Sequence, residues 1–205
     1  MPVITKLVNT GGRHPKTRVY LDGRYAFSLE PEAALRLKED QEITSDDIER
    51  LTRDNEKQRA LTSAYRSLSR RPHSAQEIKQ KLMRKQFGEE TIDRTLADLT
   101  ARGLINDAEF ARFWRENREA FRPRSRTFVG MELRQKGIPS DVAGEATSGM
   151  DDAESALRLG QKKAKTLSKA DYDTFSRRLG DYLRRRGYNY EVIQKTIREL
   201  WTTKG

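Results

Sequence analysis

The chain has 205 residues, with 41 Lys and Arg against 31 Asp and Glu, a formal charge of +10, and 35% charged and 35% hydrophobic residues. Typical globular domains carry about 45–50% apolar and about 25% charged residues, so a single thick core is excluded and several small cores in series are expected. There is no cysteine, which excludes disulfides, thiol catalysis and cysteine-held metal sites. No stretch approaches the roughly 18–20 apolar residues of a membrane span, and the start Met1-Pro2-Val3-Ile4-Thr5-Lys6 lacks the pattern of an export signal. A soluble, cytoplasmic protein is expected.

Charge is unevenly placed. Residues 1–55 hold nine Lys/Arg and ten Asp/Glu, whereas residues 56–205 hold 32 and 21. In the acidic-to-neutral first part, the alternation of Val3, Thr5 and Leu7 with Ile4, Lys6 and Val8 predicts a strand. Two more are predicted around Val19 and Leu21 and around Tyr25, Phe27 and Leu29, joined at Asp22-Gly23, a pair that accepts the positive φ angles of a tight hairpin. Pro31 opens a short helix through Leu37, and Ser45 with Asp46 and Asp47 opens another. Residues 1–53 are thus expected to form a small α+β cap.

From residue 54 the spacing turns helical. Leu61, Ala64, Tyr65 and Leu68 fall at i, i+3, i+4, i+7 before Pro72 ends the run. Ser74 with Glu77, and Asn106 with Glu109, have the spacing of capping arrangements. The chain then repeats itself: Leu82-Met83-Arg84-Lys85-Gln86-Phe87, Leu133-Arg134-Gln135-Lys136-Gly137-Ile138 and Leu183-Arg184-Arg185-Arg186-Gly187-Tyr188 share one design at a period of about fifty residues. Each block is followed by a turn and a helix whose buried face starts at Ile92, Val142 or Ile193. The expected fold is therefore mainly α: three tandem three-helix repeats, over 54–102, 107–148 and 152–203, in an elongated curved array behind the N-terminal β-hairpin cap.

Catalytic constellations are missing. The two histidines, His14 and His73, sit beside prolines with no partners at ligand or triad spacing, and there is no phosphate-binding loop or nucleophile elbow. The acidic pairs Asp46-Asp47, Glu89-Glu90 and Asp151-Asp152 fall at helix starts, where they complement the helix dipole. No catalytic residue, cofactor or metal is expected, and the chain reads as a binding protein rather than an enzyme.

The basic clusters carry more information. Arg122, Arg124 and Arg126 surround Pro123 in a link between helices; Lys162, Lys163 and Lys165 end one helix; Arg177, Arg178, Arg184, Arg185 and Arg186 stud the next. Residues 158–204 hold 13 basic against five acidic residues. Together these cations suit a polyanion, bound through phosphates without sequence readout and released by salt. Tyr188 and Tyr190, beside the arginine triplet, are expected to be partly exposed and to stack on bases or a partner, whereas Phe110, Phe113 and Trp114 follow core spacing.

Three segments, Arg70-Arg71-Pro72-His73-Ser74-Ala75-Gln76-Glu77-Ile78, Gly103-Leu104-Ile105-Asn106-Asp107-Ala108-Glu109-Phe110-Ala111 and Glu132-Leu133-Arg134-Gln135-Lys136-Gly137-Ile138-Pro139, resemble the RecX family over roughly residues 54–200. Val19-Tyr20-Leu21-Asp22-Gly23-Arg24 is similar to the N-terminal extension of some members. Gln86 stands where the pattern has glycine after Lys85, Ser125 likewise ahead of a helix, and Gly130 interrupts that helix. The resemblance implies a cytosolic modulator that docks in the helical groove of a RecA filament on single-stranded DNA and restrains its ATPase, strand exchange and co-protease activity; with no heptad seam for a dimer, a monomer is expected. Its place would be DNA repair, homologous recombination and the SOS response. Duplex DNA stays open as a further ligand. A stand-alone DNA-binding protein or transcriptional regulator using the same basic surface is the alternative.

Overall fold

The computed structural model describes residues 1–12 and 15–203; the turn expected at His14 lies outside them. The described residues divide into two compact units, Met1–Arg71 with Glu77–Ile105, and Pro72–Gln76 with the chain from Asn106 onward. They contain three strands and ten helices.

In the first unit, β1 (Ile4–Thr10), β2 (Lys16–Leu21) and β3 (Arg24–Leu29) form an antiparallel sheet in that order. Asp22 and Gly23 turn between β2 and β3 with φ of 47° and 80°, the geometry that a two-residue hairpin loop needs. One face of the sheet buries Ile4, Val19 and Leu29 against Ala34, Leu37 and Ile43. The helix expected through Leu37 is shorter, a single turn at α1 (Pro31–Ala34). Leu37 is drawn into the core of the cap, and the chain beyond it runs beside β1, with the Asp40 N–H donating to the Ile4 carbonyl (2.8 Å) and the Ile4 N–H to that of Gln41 (2.9 Å). Satisfying the edge of the sheet outweighs a second helical turn.

Thr44 caps α2 (Ser45–Leu68) by accepting from the Asp47 N–H at 3.1 Å. This one helix crosses the domain boundary expected at 53/54. It contains neither Gly nor Pro, and buried Asn55 ties its middle to the sheet by accepting the Glu30 N–H at 2.7 Å. The second half of α2 then packs with α4 (Glu89–Ala101), while α3 (Ala75–Arg84) adds Ile78 and Leu82; Ala60, Leu61, Ala64, Ile92 and Leu99 complete the buried set. Glu56 fixes the start of α4, accepting from the Gly88 N–H (3.1 Å) and the Thr91 hydroxyl (2.7 Å).

The second unit holds α5 (Asp107–Phe121), α6 (Arg126–Gln135) and α7 (Ser140–Thr147), then α8 (Asp152–Lys165), α9 (Tyr172–Arg184) and α10 (Tyr190–Thr202). Asn106, Ser125, Asp151, Asp171 and Asn189 each cap a helix through a side-chain oxygen, satisfying amides that the first turn leaves open. The cores are thin. Phe110, Ala111, Val129, Leu133, Ile138 and Ala143 fill the first three-helix group, and Leu159, Phe175, Leu179, Leu183, Ile193 and Ile197 are central to the next.

The three repeated blocks share a left-handed residue: Gln86 at φ 61°, Gly137 at 83° and Gly187 at 87°. The first repeat keeps the turn despite lacking the glycine, because Gln86 is exposed. A non-glycine there costs about 1–2 kcal/mol, so Gln86→Gly is expected to raise the unfolding free energy by about 0.5–1 kcal/mol after glycine's extra entropy loss. Denaturant midpoints of the two proteins measure it. Among the described residues no helix is long and apolar enough to cross a membrane.

Candidate nucleic-acid and partner interface

The basic residues of the second unit sort by what their side chains already do. On α9 the buried positions are Phe175, Leu179, Gly180 and Leu183, which leaves Arg177, Arg178 and Arg184 on the solvent side, with Arg185 capping the helix. Arg177, Arg178 and Arg185 form no ion pair among the described residues, and Arg184 makes only an exposed 3.8 Å contact with Asp181, a kind of pair worth well under 1 kcal/mol. Arg177 and Arg184 lie two helical turns apart on one side of a shallow groove of about 230 Å³ between α9 and α10. Ser176, Asp181, Tyr190 and Gln194 complete its rim, and Tyr190 is 73% exposed.

Tyr188 departs from expectation. It is 3% exposed, and its hydroxyl shares a 2.7 Å hydrogen bond with the Ser155 hydroxyl on α8. Burial pushes its phenol above the ordinary value, against the smaller effect of the Ser155 bond. Following the left-handed Gly187, the side chain is turned into the core, so Tyr188 is a structural residue and Tyr190 the accessible aromatic. Arg186 is also structurally engaged: its guanidinium lies 3.7 Å from the Tyr182 ring centre and donates to the Tyr182 carbonyl at 3.2 Å. Lys163 approaches the same ring at 5.9 Å. Tyr182, not singled out in the sequence, thereby joins the end of α8 to the end of α9. Lys162, Lys163 and Lys165 all stand in the last turn of α8, where they also complement its dipole.

The link of Arg122, Arg124 and Arg126 meets the third repeated block directly. The Ser125 N–H donates to the Arg186 carbonyl at 3.0 Å, and the Arg126 N–H to Asp152 at 2.7 Å. A Cβ on Gly187 would stand 2.7 Å from the Ser125 hydroxyl and from a Phe128 ring carbon, so the backbone there approaches as closely as only glycine allows. The seam therefore sets Ser125, between Arg124 and Arg126, against the backbone of Arg186 and Gly187. Arg122 and Arg126 keep exposed side chains. Arg124 does not; it stacks 4.4 Å from Phe128 and lies 3.4 Å from Glu132.

Glu132 organises a half-buried cluster that the sequence pattern did not signal. It accepts from the Trp114 indole N–H (2.9 Å) and from Arg118 (2.7 Å), while Arg118 and Lys136 lie over the Trp114 ring at 4.5 and 4.2 Å. Of the three aromatics at core spacing, Phe110 is fully buried as expected, whereas Phe113 and Trp114 are only half-buried, Trp114 packing against the edge of that core. The acidic pairs lie where a dipole role puts them: Asp46 and Asp47 in the first turn of α2, Glu89 and Glu90 in that of α4, Asp152 in that of α8, with Asp151 as the α8 cap. Among the described residues no group of three or more His, Asp or Glu is placed to hold a metal ion.

Thin three-helix cores in tandem, a close-packed seam between two of them and cations left to solvent define a helical-repeat protein with a basic exposed surface. Residues 60–99, 106–146 and 151–197 match, in turn, the first, second and third three-helix domains of RecX. The chain belongs to the RecX family. It is 37% identical over 149 residues to the regulatory protein RecX of Prosthecochloris aestuarii, covering 73% of this chain and 98% of that one. With the protein of the same name from Amycolatopsis mediterranei the identity is 38% over 139 residues, covering 64% and 79%. The fold is similar to a crystal structure of regulatory protein RecX (TM-score 0.65, 21% identity, 95% of this chain and 98% of that one). It is also similar to that of RecX from Lactobacillus salivarius (TM-score 0.62, 23% identity, 72% and 97%). A regulatory role follows from the family.

Proposed function

We propose that this protein binds the RecA filament assembled on single-stranded DNA, in its helical groove, and restrains ATP hydrolysis, strand exchange and co-protease activity. In this reading it acts as a cytoplasmic monomer in recombination, DNA repair and the SOS response, by steric and allosteric means without bond-making chemistry. The observation that carries the reading is the set of exposed cations without an ion pair on one unit: Arg177, Arg178 and Arg185 on α9 and its cap, with Arg122 in the link that meets the Arg186 carbonyl through Ser125. A filament offers both acidic protein surface and the phosphates of the bound strand, and repeats that each bind weakly gain affinity by acting together.

The test is to add the protein, below the RecA concentration, to purified RecA on single-stranded DNA and to follow ATP hydrolysis and filament length. Both are expected to fall. Unchanged hydrolysis and length, together with tight sequence-specific binding to duplex DNA, would replace this reading with that of a transcriptional regulator.

A further inference from the structure

The cap is acidic to neutral as a whole, yet one face of its sheet is not. Across the strands, Lys6 pairs in register with Tyr20 and Tyr20 with Tyr25; Val8 pairs with Arg18 and Arg18 with Ser28; Thr10 pairs with Lys16. Alternation puts these residues on the face opposite the one that buries Val19 and Leu29. The irregularity at Val19 and Tyr20 shifts the register of β3 so that Tyr25 and Ser28 share that outer face. Their hydroxyls are bonded at 3.1 Å, and the Tyr20 and Tyr25 rings meet edge to face at 6.0 Å.

Tyr25 is 58% exposed. A shallow hollow of about 510 Å³ lies over the face, lined by Thr10, Lys16, Arg18, Tyr20, Tyr25 and Ser28, with no carboxylate among them. Lys6, Lys16 and Arg18 form no ion pair among the described residues. Nearby acids are used elsewhere: Asp22 accepts the Val3 N–H at 3.0 Å, and Glu39 the Leu7 N–H at 2.8 Å.

We infer that this outer face is a second, separate binding site for single-stranded nucleic acid. Tyr25, with Tyr20 against it, offers a ring held in place for an unpaired base, and Lys6, Lys16 and Arg18 meet the flanking phosphates. An exposed ring needs a base with a free face, which a duplex does not present. Three cations without carboxylates complement a polyanionic backbone.

The inference needs no recombinase, and its test uses none, so its failure leaves the proposed regulation of RecA standing. Full-length protein is titrated into a fluorescein-labelled oligothymidylate and into an abasic strand of the same length, with fold checked by circular dichroism. Tyr25→Ala is expected to weaken binding to the base-bearing strand roughly tenfold, the loss typical of one stacked base, and to leave the abasic strand unaffected. Tyr25→Phe, which keeps the ring, should bind as the wild type. Replacing Lys6, Lys16 and Arg18 by Ala should lower the slope of log affinity against log salt by about 2, at about 0.7 per phosphate contact. A photo-reactive thiothymidine strand should cross-link to the segment carrying Tyr20 and Tyr25. Wild-type affinity in both the Tyr25→Ala and the triple variant, or an equal loss on the abasic strand, overturns the assignment.

Discussion

Reversing Arg177, Arg184 and Arg185 to Glu in one chain should leave the fold intact and abolish restraint of RecA. All three side chains are exposed, and the sole acidic contact among them, Arg184 with Asp181 at 3.8 Å, contributes little to stability. Removing three phosphate contacts should lower the salt slope for single-stranded DNA by about 2, and the introduced carboxylates should cost at least roughly a further tenfold in affinity at physiological salt. ATP hydrolysis by RecA filaments, measured against increasing protein, and DNA affinity at several salt concentrations check both halves. A folded variant that regulates like the wild type would remove α9 from the interface. Arg186 is deliberately kept. Its guanidinium stacks on Tyr182 and donates to the Tyr182 carbonyl, so reversing the whole Arg184–Arg186 triplet would confuse lost charge with lost packing at the end of α9.

Gly187→Ala is expected to destabilise the second unit by about 2–4 kcal/mol. The residue sits at φ 87°, which costs an L side chain about 1–2 kcal/mol. The new methyl would also press on the Ser125 hydroxyl and on Phe128 at 2.7–2.8 Å, an overpacking worth about 1–3 kcal/mol. Because the contact spans two repeats, loss of the seam should separate their unfolding, broadening the denaturation curve as well as shifting its midpoint. Gly144→Ala is the control. It lies within α7, its Cβ would meet nothing within 4 Å, and the change should stabilise by up to about 1 kcal/mol. Equal behaviour of the two variants would mean that the seam contributes no coupling.

Much of the fold was legible because it rests on local rules. Apolar spacing of 3.6 located the helices, Asp22-Gly23 the hairpin, and Asn106 with Glu109 a helix start, since each is decided within a few residues. Less legible were features that depend on what a side chain meets. Leu37 follows a helical pattern yet serves the cap core, and α2 runs unbroken through the composition change at residue 54 because nothing local stops it. For the candidate interface, the basic residues could be found by counting charge, but their division into free and engaged could not. Arg184 and Arg186 are two positions apart; one faces solvent and the other stacks on Tyr182.

By itself, the sequence determined the composition of the protein: several thin helical cores, a repeated Leu-to-Gly block, no cysteine chemistry and a basic C-terminal half. These follow from residue type and spacing, which act over one or two helical turns. Only the tertiary structure decided that Tyr188 is buried and Tyr190 open, that Glu132 gathers Trp114 and Arg118, and that Ser125 meets Arg186. It also decided that Tyr20 and Tyr25 share a face with Lys6, Lys16 and Arg18, through strand register and one irregularity. Such pairings join residues tens of positions apart, and the free energy that selects them comes from close packing and hydrogen bonding between elements, which no local pattern encodes.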